Sequence, residues 1–169
     1  MKPRTFWLEI LGCAAVLTAS NLAAIPADAA TVVALGASNT YGKGVARNQA
    51  FPAQLEAILR AKGLKVRVIN AGINGDTTAG MLQRLDRVVP GGTSAVILQP
   101  GGNDRRKGSP DRTAEIQNRL SARGIAVIML PNNAFRGPPH QPDGQHLTPE
   151  GYRMIAEYLA SQVAGAIRR

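Results

Sequence analysis

The chain has 169 residues, enough for one domain but not two sizeable ones, and its 20 basic and 11 acidic side chains give a net charge of +9. The single cysteine, Cys13, lies near the N-terminus, so a chain that begins after residue 29 has no thiol nucleophile, disulfide or cysteine zinc site. The densest basic run, Arg105-Arg106-Lys107, is brief and lacks interleaved aromatics; nucleic acid is not an expected partner, and a solvated basic face or contact with an anionic surface accounts for the charge.

Lys2 and Arg4, the mostly apolar run 10–19 and the small-x-small triplet Ala27-Asp28-Ala29 have the build of a secretory signal peptide. Cleavage after Ala29 is expected, leaving residues 30–169 as the domain, exported to the periplasm or the medium. An uncleaved membrane anchor is the alternative. Removing Lys2, Arg4, Glu9 and Asp28 takes equal numbers of each sign, so the charge of +9 survives. No later stretch is long or apolar enough to cross a membrane.

The run 31–35 opens the domain as a buried strand, and 66–70, 95–99 and 125–130 repeat the pattern. All are rich in Val and Ile without apolar–polar alternation, as in a parallel sheet covered on both faces. Between the first two, Pro52 opens a helix whose Leu55, Ile58 and Leu59 share a face with Phe51 just before it. Next, Met81, Leu82, Leu85 and Val88 mark a single helix capped by Thr77 or Thr78. Ile116 and Leu120 mark a third, stopped by Gly124. Thr148 caps the last helix, with Pro149 at its first position and a stripe of Tyr152, Ile155, Ala156, Leu159 and Val163. The order β-α-β-α-β-α-β-α predicts an α/β fold, a three-layer α/β/α sandwich with right-handed crossovers. Ligands of such sheets sit at the carboxyl ends of the strands, near the switch point. The segments to read for function are therefore 36–44, 72–78, 100–107 and 131–147.

Gly36-Ala37-Ser38-Asn39-Thr40-Tyr41-Gly42 surrounds a serine with small residues directly after a strand, and such a turn can hold a nucleophilic hydroxyl at the cleft mouth. Lys43 is followed by Gly44, so the loop is not a Walker A sequence, and no GxGxxG fingerprint is present. On its own the segment reads first as a plain β–α turn. Asn74-Gly75-Asp76-Thr77-Thr78 can bring backbone N–H groups and a helix start to a ligand. Gly101-Gly102-Asn103-Asp104 can aim an asparagine NH₂ into the cleft. Each of these is also an ordinary loop when taken singly.

Asp143-Gly144-Gln145-His146-Leu147-Thr148-Pro149 is sharper. An aspartate three residues before a histidine, ahead of a capped helix, can bond its carboxylate to the imidazole, fixing the tautomer and stabilising the imidazolium. Histidine, with an ordinary pKa of about 6.5, suits a proton shuttle near neutrality. A metal site from His140, Asp143 and His146 matches no known ligand spacing. Together the loops complete one another. Ser38 is the expected nucleophile, His146 the base and Asp143 the orienting carboxylate, with the Ser38 backbone N–H, Gly75 and Asn103 as an oxyanion hole.

In this order the residues resemble the SGNH hydrolase (GDSL-like) superfamily. Gly36-Ala37-Ser38 resembles its GDS block, Asn74 to Thr78 its glycine block, Gly101-Gly102-Asn103-Asp104 its GxND block, and Asp143 to His146 its DxxH block. The second block, reading GDTT, resembles that of bacterial lysophospholipase and thioesterase-like esterases. The resemblance implies a flavodoxin-like sheet and two-step acyl transfer on a carboxylic ester, with no cofactor or metal. Candidate substrates are short acyl esters, lysophospholipids and acetylated glycans.

Two departures from the family pattern carry expectations. Ala37 stands where the family has aspartate, which predicts a looser serine turn. Only residues 131–142 separate the fourth strand from Asp143, where relatives fit another helix and strand. The sheet is therefore expected to have four strands in the order 2-1-3-4, and the acyl pocket to lack one wall, favouring short acyl groups or esters on a larger molecule. The rival readings are a catalytically silent acyl- or glycan-binding protein, against which the retained Ser38, His146 and Asp143 argue, and a thioester or peptide hydrolase with the same three residues.

Overall fold

The computed structural model describes residues 29–168. The expected signal segment, 1–29, lies outside the described residues except for its last position. From β1 (Ala30–Gly36) the chain passes through a short helix α1 (Ser38–Tyr41), a 3-10 turn at Arg47–Gln49 and α2 (Phe51–Ala61) to β2 (Val66–Gly72). It continues through α3 (Thr78–Gln83), α4 (Leu85–Val88), β3 (Thr93–Gln99), α5 (Asn103–Lys107), α6 (Thr113–Ala122) and β4 (Ala126–Met129). A 3-10 turn at Asn132–Phe135 then precedes α7 (Pro149–Ile167).

The strands form one parallel sheet in the order β2-β1-β3-β4, as expected from the sequence. Lying between β2 and β3, β1 is covered on both faces, and Val32 to Leu35 are fully buried. The pleat sends alternate residues to opposite sides. Val32 and Ala34 join Phe51, Leu55 and Leu59 of α2 and Tyr152, Ile155, Leu159 and Val163 of α7. Val33 and Leu35 join Met81, Leu85, Ile116 and Leu120 from α3, α4 and α6. Two apolar cores, one on each face, are why the central strands β1 and β3 show no alternation in sequence, while the edge strand β2 exposes Arg67 and Asn70.

Caps set the helix starts. The Thr77 hydroxyl accepts the Gly80 N–H at 3.2 Å, and the Thr148 hydroxyl accepts the Gly151 N–H at 3.2 Å, with Pro149 just inside α7. The expected single helix through Met81, Leu85 and Val88 is divided at Arg84, whose backbone leaves the helical region (φ −100°, ψ 3°). The short helices α1 and α5 and the 3-10 turn at Asn132–Phe135 fall in segments expected to be loops, and the turn at Arg47–Gln49 in a stretch given no element; none is long enough to display a 3.6-residue period. Among the described residues no helix is long and apolar enough to cross a membrane.

The chain moves from β1 to β2 on one side and then returns to β3 on the other. The switch point therefore lies between the carboxyl ends of β1 and β3. Of the buried polar residues among those described, all but Thr93 (Thr40, Thr78, Arg84, Gln99, Asn103, Asp104 and His146) lie at this end of the sheet or in the loops above it. Buried polar groups cost stability unless bonded, so their clustering marks this end as the functional one.

Candidate active site

The serine turn is held by a residue from another strand. Ser38 opens α1, half-buried, two positions after the end of β1. Gln99, the last residue of β3, accepts the Ala37 N–H at 3.1 Å and the Thr40 hydroxyl at 3.0 Å on one side-chain oxygen. Gly36 permits this approach, because a Cβ there would stand 2.2 Å from the Thr40 hydroxyl oxygen. The Ala37 methyl packs into the core with Met81 and Leu85. Bonds from Gln99 thus hold the turn that was expected to be loose for want of an aspartate. The only sequence signal of this role was a glutamine ending an otherwise apolar strand.

The histidine loop folds back on itself before α7. Gln141 N–H donates to the His146 carbonyl at 2.7 Å, and Gly144, at φ +66°, turns the chain. One Asp143 oxygen accepts the backbone N–H groups of Gln145 and His146, both at 2.9 Å; the other faces His146 Nδ1 at 2.5 Å. The His146 side-chain bond first, and then the two backbone donors, hold the Asp143 carboxyl well below the usual carboxylate range. An ionised carboxylate only accepts, so Nδ1 carries the proton and Nε2 is left as the acceptor. Nε2 lies 2.9 Å from Ser38 Oγ, and the imidazole is buried at 6% exposure.

The loop is tied to the serine turn and to α7. Gln141 Nε2 donates to the carbonyls of Lys43, just past α1, and Leu147. Asn39 donates to the Gln145 carbonyl at 3.5 Å and accepts the Tyr152 hydroxyl at 3.1 Å. Burial pushes the Tyr152 phenol up to about 12, with Asp143 adding to the effect, so it stays a donor throughout the neutral range.

On the opposite side, Asn103 is buried at the start of α5. Its NH₂ donates to the Asp76 carbonyl at 2.7 Å while its oxygen accepts from Arg106, which fixes the orientation of the amide. Arg106 also donates to the Gln145 side chain at 2.9 Å, joining α5 to the histidine loop. The Gly75 carbonyl accepts from Lys107, and its backbone sits at φ +73°. Gly75 neighbours Asp76, to which Asn103 bonds, but does not itself line the cleft. Beneath this side, Arg84 pairs with Asp76 at 2.8 Å and donates to the Gly36 carbonyl at 3.3 Å. Asp104 accepts the Thr78 N–H at 3.0 Å. Arg84 was legible in principle, as an arginine on the same helical face as Met81 and Leu85 needs a buried partner. Arg106 was read only as part of a basic run.

Ser38, His146 and Asn103 share one cleft of about 420 Å³, with Asp143 behind the imidazole. The segment 131–142, expected to leave a side open, contributes Asn132, Phe135, Arg136 and His140 to its lining, and Asn132 is tied to the Gly101 carbonyl at 2.8 Å.

The chain and its fold are similar to known esterases. The chain is 32% identical over 129 residues to Esterase TesA of Pseudomonas aeruginosa, a match covering 73% of this chain and 62% of TesA. It is 30% identical over 115 residues to an arylesterase of Vibrio mimicus, covering 64% and 56% respectively, so the match spans about three fifths of these curated relatives. The fold is similar to that of the psychrotrophic esterase EstA from Pseudoalteromonas sp., with a TM-score of 0.68 at 16% identity, covering 82% of this chain and 99% of EstA. Residues 34–161 match the GDSL-like Lipase/Acylhydrolase family, and the chain, with its four ordered SGNH blocks, belongs to that family.

Proposed function

We propose that the protein is a serine esterase that hydrolyses carboxylic acyl esters at Ser38. The observation that carries this reading is the continuous chain from Asp143 through His146 to the Ser38 hydroxyl, at 2.5 and 2.9 Å. Ser38 Oγ attacks the ester carbonyl carbon as its proton passes to His146 Nε2. The tetrahedral intermediate collapses when His146 returns the proton to the departing alkoxide, leaving an acyl-serine and a free alcohol. Water, deprotonated by His146, then attacks the acyl-serine, releasing the acid and restoring the hydroxyl. Asp143 holds the imidazole in the tautomer this needs and stabilises its charged form.

The Ser38 backbone N–H, at the first turn of α1 where no intrahelical carbonyl is in reach, is one donor for the developing oxyanion. The Asn103 amide, which lines the cleft, is the other in this reading, whereas Gly75 lies outside the lining and drops out of the expected hole. Short acyl groups suit the cleft best, because Phe135 is the one large apolar side chain among its lining residues, beside Ala37, Gly101, Gly102 and Gly144. Lysophospholipids and acetylated glycans present such esters on a larger molecule. Export is part of the proposal; it rests on the composition of residues 1–29, and β1 begins directly after them.

The test is hydrolysis of p-nitrophenyl esters from acetyl to octanoyl, beside Ser38→Ala and His146→Ala. Turnover by the unmodified protein, falling with chain length and lost in both variants, is the expected result. A folded protein that hydrolyses none of them would point instead to a binding protein that keeps the family blocks without turnover.

A further inference from the structure

Among the described residues, the cleft in front of Ser38 is lined by Arg106 and Arg136 and by no aspartate or glutamate; the nearest carboxylate, Asp143, stands behind the His146 ring and is bonded to it. Outside the cleft Arg60, Arg84, Arg119, Arg123 and Arg153 each meet an aspartate or glutamate. Arg106 donates to Asn103 and Gln145, neutral amides that hold its plane and leave its charge uncompensated. Arg136 follows the 3-10 turn Asn132–Phe135 on the other wall, and its guanidinium meets no acceptor among the described residues.

Two uncompensated guanidiniums in a concave site concentrate a positive field where the ester must lie. A guanidinium also matches a carboxylate or phosphate with two parallel N–H bonds, a geometry that a neutral ester does not use. We propose that the ester bound at this cleft carries an anionic group, a carboxylate or phosphate, beside the scissile bond, and that Arg136 receives it while Arg106 adds to the field. The inference rests on the esterase reading above for the bond that is cut, but not for the recognition itself.

Binding to the Ser38→Ala protein reads recognition without turnover. On the acyl side, p-nitrophenyl hemiglutarate is compared by calorimetry with the neutral p-nitrophenyl pentanoate. On the alcohol side, 4-acetoxybenzoate and 4-acetoxyphenyl phosphate are compared with 4-acetoxybenzamide, which also separates carboxylate from phosphate recognition. At least one anionic ester should bind about 10-fold or more tightly than its neutral counterpart, the scale of a hydrogen-bonded charge pair. Arg136→Gln in the same background should bring that ratio close to one. Arg105→Gln, which removes the same charge outside the cleft, should leave it in place. Equal affinity across every pair overturns the inference, and so does a preference that persists in Arg136→Gln. If the unmodified protein turned over none of these esters while the binding preference held, the esterase reading would fail and this one would stand.

Discussion

Gln99 accepts the backbone N–H of Ala37 at 3.1 Å, across 62 residues of chain, and so ties the end of β3 to the residue before Ser38. The same oxygen accepts the Thr40 hydroxyl, bracketing the serine on both sides. Family relatives are expected to place an aspartate at position 37. Here the side chain at that position is apolar and buried, and the turn is held from the neighbouring strand instead.

Gln99→Leu should therefore loosen the serine turn. Gln99 is 2% exposed, so water cannot replace the bonds it makes. Leaving the Ala37 N–H unpaired is expected to cost about 1–3 kcal/mol of stability. In the esterase reading it should also lower kcat more than it raises KM, since the nucleophile loses its aim. Urea denaturation and steady-state kinetics check both, and unchanged values in both would show that the turn stands without Gln99.

Arg84 and Asp76 form a buried pair, their side chains 7% and 11% exposed. Arg84→Met strands the Asp76 carboxylate, with an expected loss of about 3–5 kcal/mol. Adding Asp76→Asn removes the stranded charge, so the double variant should recover part of that loss. A double-mutant cycle in urea measures it; simple additivity would mean that the two side chains are not coupled.

Acid stability should report on Asp143. Its carboxyl titrates below the usual range in the folded protein, chiefly through the bond to His146. The unfolded state then binds more protons as pH falls below about 4, so the contribution of Asp143 is present above that range and lost progressively beneath it. The stability gap between the unmodified protein and Asp143→Asn should be constant near neutrality and shrink on acidification. Urea midpoints between pH 2 and 7 test this, and a gap that widens in acid would contradict it. Activity should fall steeply in the same variant. A comparable carboxylate-to-amide change in a serine protease lowers turnover by about 10⁴.

Tyr152→Phe removes the hydroxyl that anchors Asn39, and with it one link between α7 and the serine turn. The expected stability loss is about 0.5–1.5 kcal/mol. Because burial holds this phenol up to about 12, an alkaline ultraviolet titration should lose a step near that pH in the variant. Loss of a step near pH 10 instead would mean that Tyr152 is not buried as described.

The sequence by itself determined the layer order, the four parallel strands and their arrangement, the cap residue Thr148, and the family, and it narrowed the other cap to Thr77 or Thr78. These features are written in local patterns: apolar runs, helical stripes, caps, and short blocks in a set order. It also named Ser38, Asp143 and His146 as candidates, and the last two lie three positions apart, within reach of local reasoning. Tertiary structure alone decided the rest. The approach of His146 to Ser38 spans 108 residues, and the Gln99 bonds to Ala37 and Thr40 span 62 and 59. At the break, the Arg84 side chain bonds Asp76 and the Gly36 carbonyl, a long-range contact that the periodic pattern does not display. Arg106 and Arg136 carry no mark in sequence that separates them from other surface arginines. Only the folding of α5 and of segment 131–142 around the serine puts both on the walls of one cleft.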